Sequence, residues 1–371
     1  MEEKKLSIED VDRNMRMDQK IKEPNVRYYD VREEPFSVYG LYNYKTEPHF
    51  KRMPDEIAKN VNAGVALMYT NTAGGRVRFS TDSPYVAIKA FYTQADKMSH
   101  FPRSGSAGLD LYIDNPEDGT SRYFRSFIPD KYVHSHGECA TIIHFPNREM
   151  RHLTIHMPLY SSVQSMWIGL ENDAIVSNGL PYKDIPPVLY YGSSITQGGC
   201  CSRPGNAYEN IISHRLGIDH INLGFSGSAK GELPMANYMA SLKMSAFVCD
   251  YDHNAPTADH LRETHLRLYQ TFREKQPDTP YIMITRADID FSNEHKLTER
   301  REIIRATYEY ARAHGDEHVY FIDGRDIYPD HYIGHCTVDG IHPNDLGFIL
   351  MADAIQPVVA QALREKGYPD F

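Results

Sequence analysis

Val188-Leu189-Tyr190-Tyr191-Gly192-Ser193-Ser194-Ile195-Thr196 is the stretch whose reading decides the fold. Four apolar residues in a row, closed by a turn signal, predict a strand buried on both faces. The Gly-X-Ser at its end places a hydroxyl on a tight turn at the carboxyl edge of a sheet. Further strand-like runs follow at His220-Ile-Asn-Leu223, Ala246-Phe-Val-Cys249, Tyr281-Ile-Met-Ile284 and Val319-Tyr-Phe-Ile322. Helical stretches lie between and after them, near 206–217, 233–243, 257–274, 298–314 and 344–365. Strand and helix in alternation predict βαβ units and a parallel sheet covered on both faces. Right-handed crossovers put every carboxyl end at one edge, the edge that carries Ser194.

Upstream of Pro186-Pro187 the pattern differs. Short runs of period two, such as Arg76-Val-Arg-Phe-Ser80, Tyr85-Val-Ala-Ile-Lys89, Leu109-Asp-Leu-Tyr-Ile113, Ala140-Thr-Ile-Ile-His144, Leu153-Thr-Ile-His-Met157 and Met166-Trp-Ile-Gly-Leu170, are separated by Gly, Asn-Pro and Asp-Gly turn signals. Many short strands at such spacing predict a β-sandwich or jelly roll. The expected organisation is therefore an arm or short helix over 1–26, a β-sandwich over 27–185 and an α/β domain over 186–371.

Composition narrows the function. A formal charge of −10 argues against nucleic acid and anionic membranes as partners. No run reads as the ~20 apolar residues that cross a bilayer. The start, Met1-Glu2-Glu3-Lys4-Lys5, is charged and no apolar segment follows it, so the expected location is cytoplasmic. Five cysteines, Cys139, Cys200, Cys201, Cys249 and Cys336, give neither a disulfide framework nor a CxxC metal pattern. No cofactor and no metal are expected, and a homo-oligomer is compatible with the sequence.

Four segments of the second half carry chemistry. They are Ser194 after the first strand, Asn222-Leu-Gly-Phe-Ser-Gly-Ser228 after the second, Asp250-Tyr-Asp-His-Asn254 after the third, and Asp339-Gly-Ile-His342 ahead of the last helix. A serine hydroxyl needs a base to become a nucleophile, and the base needs an orienting partner. The three-residue spacing of Asp339 and His342 puts both on one face of a helical turn. Taken singly, each residue has a plainer role: Ser194 caps a helix, Asp339 caps the turn before Pro343, and Asn254 sits in a turn. Together, in this order and at predicted strand ends, they point to acyl chemistry.

The second half resembles the SGNH (GDSL-type) hydrolases, a flavodoxin-like three-layer fold. The resemblance matches Ser194 to the family's nucleophile, Gly227 and Asn254 to its second and third blocks, and Asp339 and His342 to its final pair. It departs at Ser193, where the family usually has Asp, leaving two adjacent serines of which register favours Ser194. Gly108-Leu-Asp110-Leu-Tyr112 is similar to the signature of a β-rich domain that precedes some SGNH domains. The resemblance implies a serine esterase with a Ser194–His342–Asp339 triad, and an oxyanion hole from the Ser194 and Gly227 N–H groups and the Asn254 amide. Gly227 is expected to permit close approach by lacking a Cβ. Arg203, Tyr208, His253 and Arg286 are candidate substrate contacts. The implied substrate is a small acyl ester, acetyl above all, of a sugar or oligosaccharide. An acyltransferase using the same triad, and an inert carbohydrate-binding module, remain the alternatives.

Overall fold

The computed structural model describes residues 8–12, 21–129, 136–287 and 296–371. Most of the arm expected over 1–26 lies outside them; within it, Ile8–Val11 forms a short helix, α1.

The first half is a pair of antiparallel sheets. Its strands are β1 (Val26–Asp30), β2 (Ser37–Tyr39), β3 (Arg76–Thr81), β4 (Tyr85–Ala95), β5 (Leu109–Asp114), β6 (Ser121–Phe127), β7 (Gly137–His144), β8 (Arg151–His156), β9 (Ser161–Glu171) and β10 (Val176–Asn178). One sheet runs β1-β9-β4-β7; the other runs β10-β3-β8-β5-β6, with β2 paired to β3. The apolar alternation of each strand supplies the core between them, including Val77, Phe79, Ile88, Leu109, Leu111, Ile155 and Ile168. Three short helices interrupt this β region, α2 (Asp55–Val61), α3 (Ala63–Met68) and α4 (Arg103–Ser106).

The second half alternates β11 (Val188–Gly192), α5 (Tyr208–Leu216), β12 (His220–Gly224), α6 (Leu233–Ser241), β13 (Ala246–Asp250), α7 (Ala258–Lys275), β14 (Tyr281–Ile284), α8 (Leu297–Ala313), β15 (Val319–Ile322) and α9 (Asp345–Glu365). The sheet is parallel, in the order β12-β11-β13-β14-β15. Every residue of β11, β13 and β14 is buried, as uninterrupted apolar runs require when helices cover both faces. The chain leaves β11 in one direction to reach β12 and returns past it to β13. The carboxyl ends of β11 and β13 thus flank the crevice where such sheets bind ligands.

One expectation is corrected here. α9 is long and apolar enough to cross a membrane by length and composition, with a mean hydropathy of 1.6 over its best window. Its apolar side, Phe348, Met351, Ala352, Ile355 and Val359, instead packs into the core against α5, β13 and β15.

The halves are joined by buried polar contacts. The Asp110 carboxylate accepts from the Gly205 N–H at 2.8 Å and from Arg203 at 3.3 Å. The Tyr112 ring stacks on His214 of α5 at 4.4 Å, and its hydroxyl pairs with Arg203. Arg76 pairs with Asp219 and donates to the His220 carbonyl at 3.0 Å. Arg52 reaches the end of β12, donating to the Gly224 carbonyl at 2.6 Å.

Candidate active site

The turn after β11 is fixed by its own hydrogen bonds. A Cβ at Gly192 would strike Thr196 Oγ1 and the Asp250 carbonyl, so only glycine lets the turn lie against β13. Ser193 N donates to the Asp250 carbonyl at 3.1 Å, and Ser193 Oγ accepts from Ile195 N at 3.1 Å. Ser193 is fully buried and its hydroxyl is occupied in the turn. Ser194 is 7% exposed, and its Oγ lies 2.9 Å from His342 Nε2.

His342 Nδ1 lies 2.7 Å from Asp339 Oδ2. With Nδ1 carrying the proton, Nε2 is left to accept from Ser194, and both contacts are satisfied at once. Asp339 and His342 are not on a helix, which corrects the expected geometry. They sit in a loop closed by the Thr337–Pro343 bridge. Asp339 Oδ1 accepts from the N–H groups of Ile341 at 3.0 Å and His342 at 2.7 Å, an Asx-type turn that aims the other oxygen at the ring. Partial burial opposes ionisation of Asp339. The hydrogen bonds from the His342 N–H, the His342 ring and the Ile341 N–H outweigh it and hold the carboxyl below its ordinary range. Asn344 then caps α9, its Oδ1 accepting from Gly347 N at 3.1 Å.

The Ser194 and Gly227 N–H groups form no hydrogen bond among the described residues. Asn254 Nδ2 donates to the Phe225 carbonyl at 2.8 Å, which ties the amide to the Gly227 loop and leaves its second N–H free of that bond. The reason for glycine at 227 differs from the expectation. A Cβ there would meet nothing within 4 Å; it is φ of +63° that favours glycine.

Two expected substrate contacts are corrected. Tyr208 is fully buried in the core, with its hydroxyl donating to Thr196 Oγ1 at 3.1 Å. Arg203 is committed to Asp110, Tyr112 and, at 3.9 Å, the face of the Tyr123 ring. His253 stays beside Asn254 on the short turn Asp252–Asn254, half-buried, and Arg286 is half-buried after β14, its N–H donating to Asp252 Oδ2 at 3.1 Å.

The β region also supplies residues that sequence reasoning missed. Tyr160 donates to the Ser194 carbonyl at 3.1 Å. Gln197 accepts from Ser226 N at 2.9 Å and donates to Asn71 Oδ1 at 3.1 Å and the Leu159 carbonyl at 3.2 Å. The Gln197 amide thereby links the nucleophile turn, the Gly227 loop and the β region. Its only sequence signal is proximity to Ser194; Asn71 and Tyr160 have none, because their contacts span distant parts of the chain. Cys200 is neighbour to the same turn, but burial, reinforced by Asp339, pushes its thiol up to about 12, so it is not a competing nucleophile.

Comparison with known proteins bears on the family and the fold. Residues 186–360 match the model of the GDSL-like lipase/acylhydrolase family, and residues 26–176 match the GxDLY model, the N-terminus of SGNH-hydrolase-type esterases. A protein designated a GDSL-like lipase, from Bacteroides ovatus, is 30% identical, with a TM-score of 0.81 over 92% of this chain and 98% of its own. The salicylyl-acyltransferase SsfX3 of a tetracycline biosynthetic pathway shares the fold at 17% identity, with a TM-score of 0.74 over 92% of this chain and 98% of its own. So does the acetyl xylan esterase Est2A of the rumen bacterium Butyrivibrio proteoclasticus, at 12% identity and a TM-score of 0.56, over 93% and 99% of the two chains. No curated protein sequence matches the chain. Two family models in tandem and a relative similar over nearly the whole length place the chain in the GDSL-like lipase/acylhydrolase family, as an SGNH-type hydrolase with a GxDLY N-terminal region.

Proposed function

We propose that the protein is a serine esterase that removes small acyl groups, acetyl foremost, from a hydroxylated substrate such as a sugar. The observation that carries the reading is the unbroken relay from Ser194 Oγ to His342 Nε2 at 2.9 Å and from His342 Nδ1 to Asp339 at 2.7 Å. Ser194 attacks the acyl carbon while His342 takes its proton; His342 then gives that proton to the leaving alkoxide. Water, deprotonated by the same ring, resolves the acyl-enzyme. The Ser194 and Gly227 N–H groups and the Asn254 amide hold the developing oxyanion. A small acyl group, acetyl foremost, rests on the shared fold with the acetyl xylan esterase Est2A. A sugar as the alcohol rests on shared fold with carbohydrate esterases such as Est2A, an analogy of fold and not of site.

The test is acetate release from a panel of acetylated sugars and xylo-oligosaccharides, with and without an acceptor alcohol. Acetate release in water supports the esterase. Transfer to the alcohol at the expense of free acetate would make the protein an acyltransferase. Glycan binding without turnover would make it a binding module.

A further inference from the structure

His100, Cys200 and His342 each bring one ligand atom to a common point, all within 4.8 Å of one another. Two come from elements remote in sequence from His342. His100 lies on an exposed turn of the β region ahead of α4, and Cys200 on the turn that follows Ser194. The His100 and His342 rings are 5.7 Å apart, and His100 Nε2 is 3.9 Å from Asp339 Oδ2.

Cys200 carries a second, independent mark. Its φ is +76°, and the only other non-glycine residues at positive φ among the described residues are Asn43 and Lys296. Asparagine tolerates that region; cysteine is strained there. Its thiol forms no hydrogen bond among the described residues. A strained backbone thus presents an unengaged sulfur to two imidazoles.

We infer that His100, Cys200 and His342 form a site for a borderline-soft divalent cation of the Zn2+ class, and that its occupation shuts the esterase off. Two imidazoles and one thiolate suit Zn2+ in preference to Mg2+ or Ca2+. Tetrahedral zinc places ligand atoms about 3.3–3.8 Å apart, so closure needs a shift of about 1 Å. The exposed turn of His100 can supply it. The thiol proton leaves to solvent as the metal–sulfur bond forms, and water or Asp339 fills the fourth position. Inhibition follows from the ring itself. Nε2 of His342 holds Ser194 and Nδ1 holds Asp339. A metal on either nitrogen breaks the relay.

The inhibitory half rests on the esterase reading; the metal site does not. The experiment therefore reads both on the full chain, first stripped with chelator. Turnover of p-nitrophenyl acetate is followed against added Zn2+, and Co2+ binding is followed by its thiolate charge-transfer absorption. The expected result is one Zn2+ per chain abolishing turnover, reversal by EDTA, and a cobalt–thiolate band. Cys200→Ser should remove the band. His100→Ala, at an exposed position, should weaken Zn2+ inhibition by about 100-fold, at least the loss typical of an outer-shell partner. Both variants should keep metal-free turnover. Unchanged Zn2+ inhibition in both variants, or no thiolate band in the wild type, overturns the site. A band without any metal-free esterase activity would sink the esterase reading and still support the metal site.

Discussion

Ser193 and Ser194 are adjacent and chemically identical, yet the turn gives them different tasks. Ser193 Oγ holds the Ile195 N–H inside the turn; Ser194 Oγ faces His342. Ser194→Ala should lower kcat by several orders of magnitude with melting temperature unchanged, because the covalent step is lost. Ser193→Ala should do the reverse. It strands a buried N–H, costing about 1–3 kcal/mol of stability, while kcat stays within roughly tenfold, since the relay of Ser194 is untouched. Turnover and thermal melts on both variants decide the matter, and an exchange of the two patterns would shift the nucleophile to Ser193. At Asn254 the expected loss is that of one oxyanion donor, about 2.7–4 kcal/mol in kcat with KM little changed. Asn254→Ala also frees the Phe225 carbonyl, but that carbonyl keeps the N–H groups of Ser228 and Ala229. A kcat unaffected by this change would remove Asn254 from the oxyanion hole.

At the scale of elements, legibility followed burial. All five strands of the parallel sheet read from sequence: β11, β13 and β14 are buried throughout, and the edge strands β12 and β15 still alternate with helical stretches. The β-region strands that did not read are β1, β2, β6 and β10, all at the margins of their sheets. Ser121-Arg-Tyr-Phe-Arg-Ser-Phe127 shows why: an edge strand exposed on its flank carries arginines and serines where a central strand alternates. The grouping of Ser194, His342 and Asp339 was legible in the sequence, but the Asx-type turn joining Asp339 to His342 was not, since spacing alone fits a helical turn equally well. Helix α5 holds a further feature invisible to pattern. Glu209, in its first turn, is fully buried and accepts from Asn222 Nδ2 at 2.8 Å, leaving Oε2 without a partner among the described residues. Burial outweighs that hydrogen bond and pushes its carboxyl up to about 8. A raised acid binds more protons folded than unfolded, so its contribution is full below the ordinary value near 4.5 and is lost as pH rises towards about 8. Glu209→Gln keeps an acceptor for Asn222 and cannot ionise. The variant should therefore melt higher than wild type at pH 8 and lose that advantage at pH 5. Equal melting of the two proteins at both pH values would mean that Glu209 does not carry this pH dependence.

Across the whole molecule, the β region is bound into the site and is not an appendage. Arg52 enters between the halves, donates to the carbonyls of Gly224 at 2.6 Å and Met68 at 2.9 Å, and lies over the Phe225 ring at 4.3 Å. Its burial is complete enough to bring the guanidinium down to about 9. The Asp110 and Tyr112 of the GxDLY signature hold Gly205 and Arg203, so that signature is a docking motif between halves. Tyr160 and Asn71 reach the Ser194 turn directly and through Gln197. Residues 186–371 alone would retain the triad and lose every one of these partners. The Gly224 carbonyl, the Gly205 N–H and the Gln197 amide would each give up a contact now made away from water, while the Ser194 carbonyl would keep only the Gly199 N–H. At about 1–3 kcal/mol for each group left unsatisfied, the sum reaches the 5–15 kcal/mol that usually separates folded from unfolded. Water will reclaim some of these groups, but it cannot rebuild the apolar cover over Phe225 or the Tyr112–His214 stack. Expressed alone, 186–371 should therefore melt without cooperativity, or well below the full chain, and show little turnover of p-nitrophenyl acetate. Co-expression with 1–185 as a separate chain should restore both, because the contacts are noncovalent. If 186–371 alone melted cooperatively and matched the full chain in kcat/KM, the triad would be self-sufficient, and the β region would act only on substrates larger than the acyl group itself.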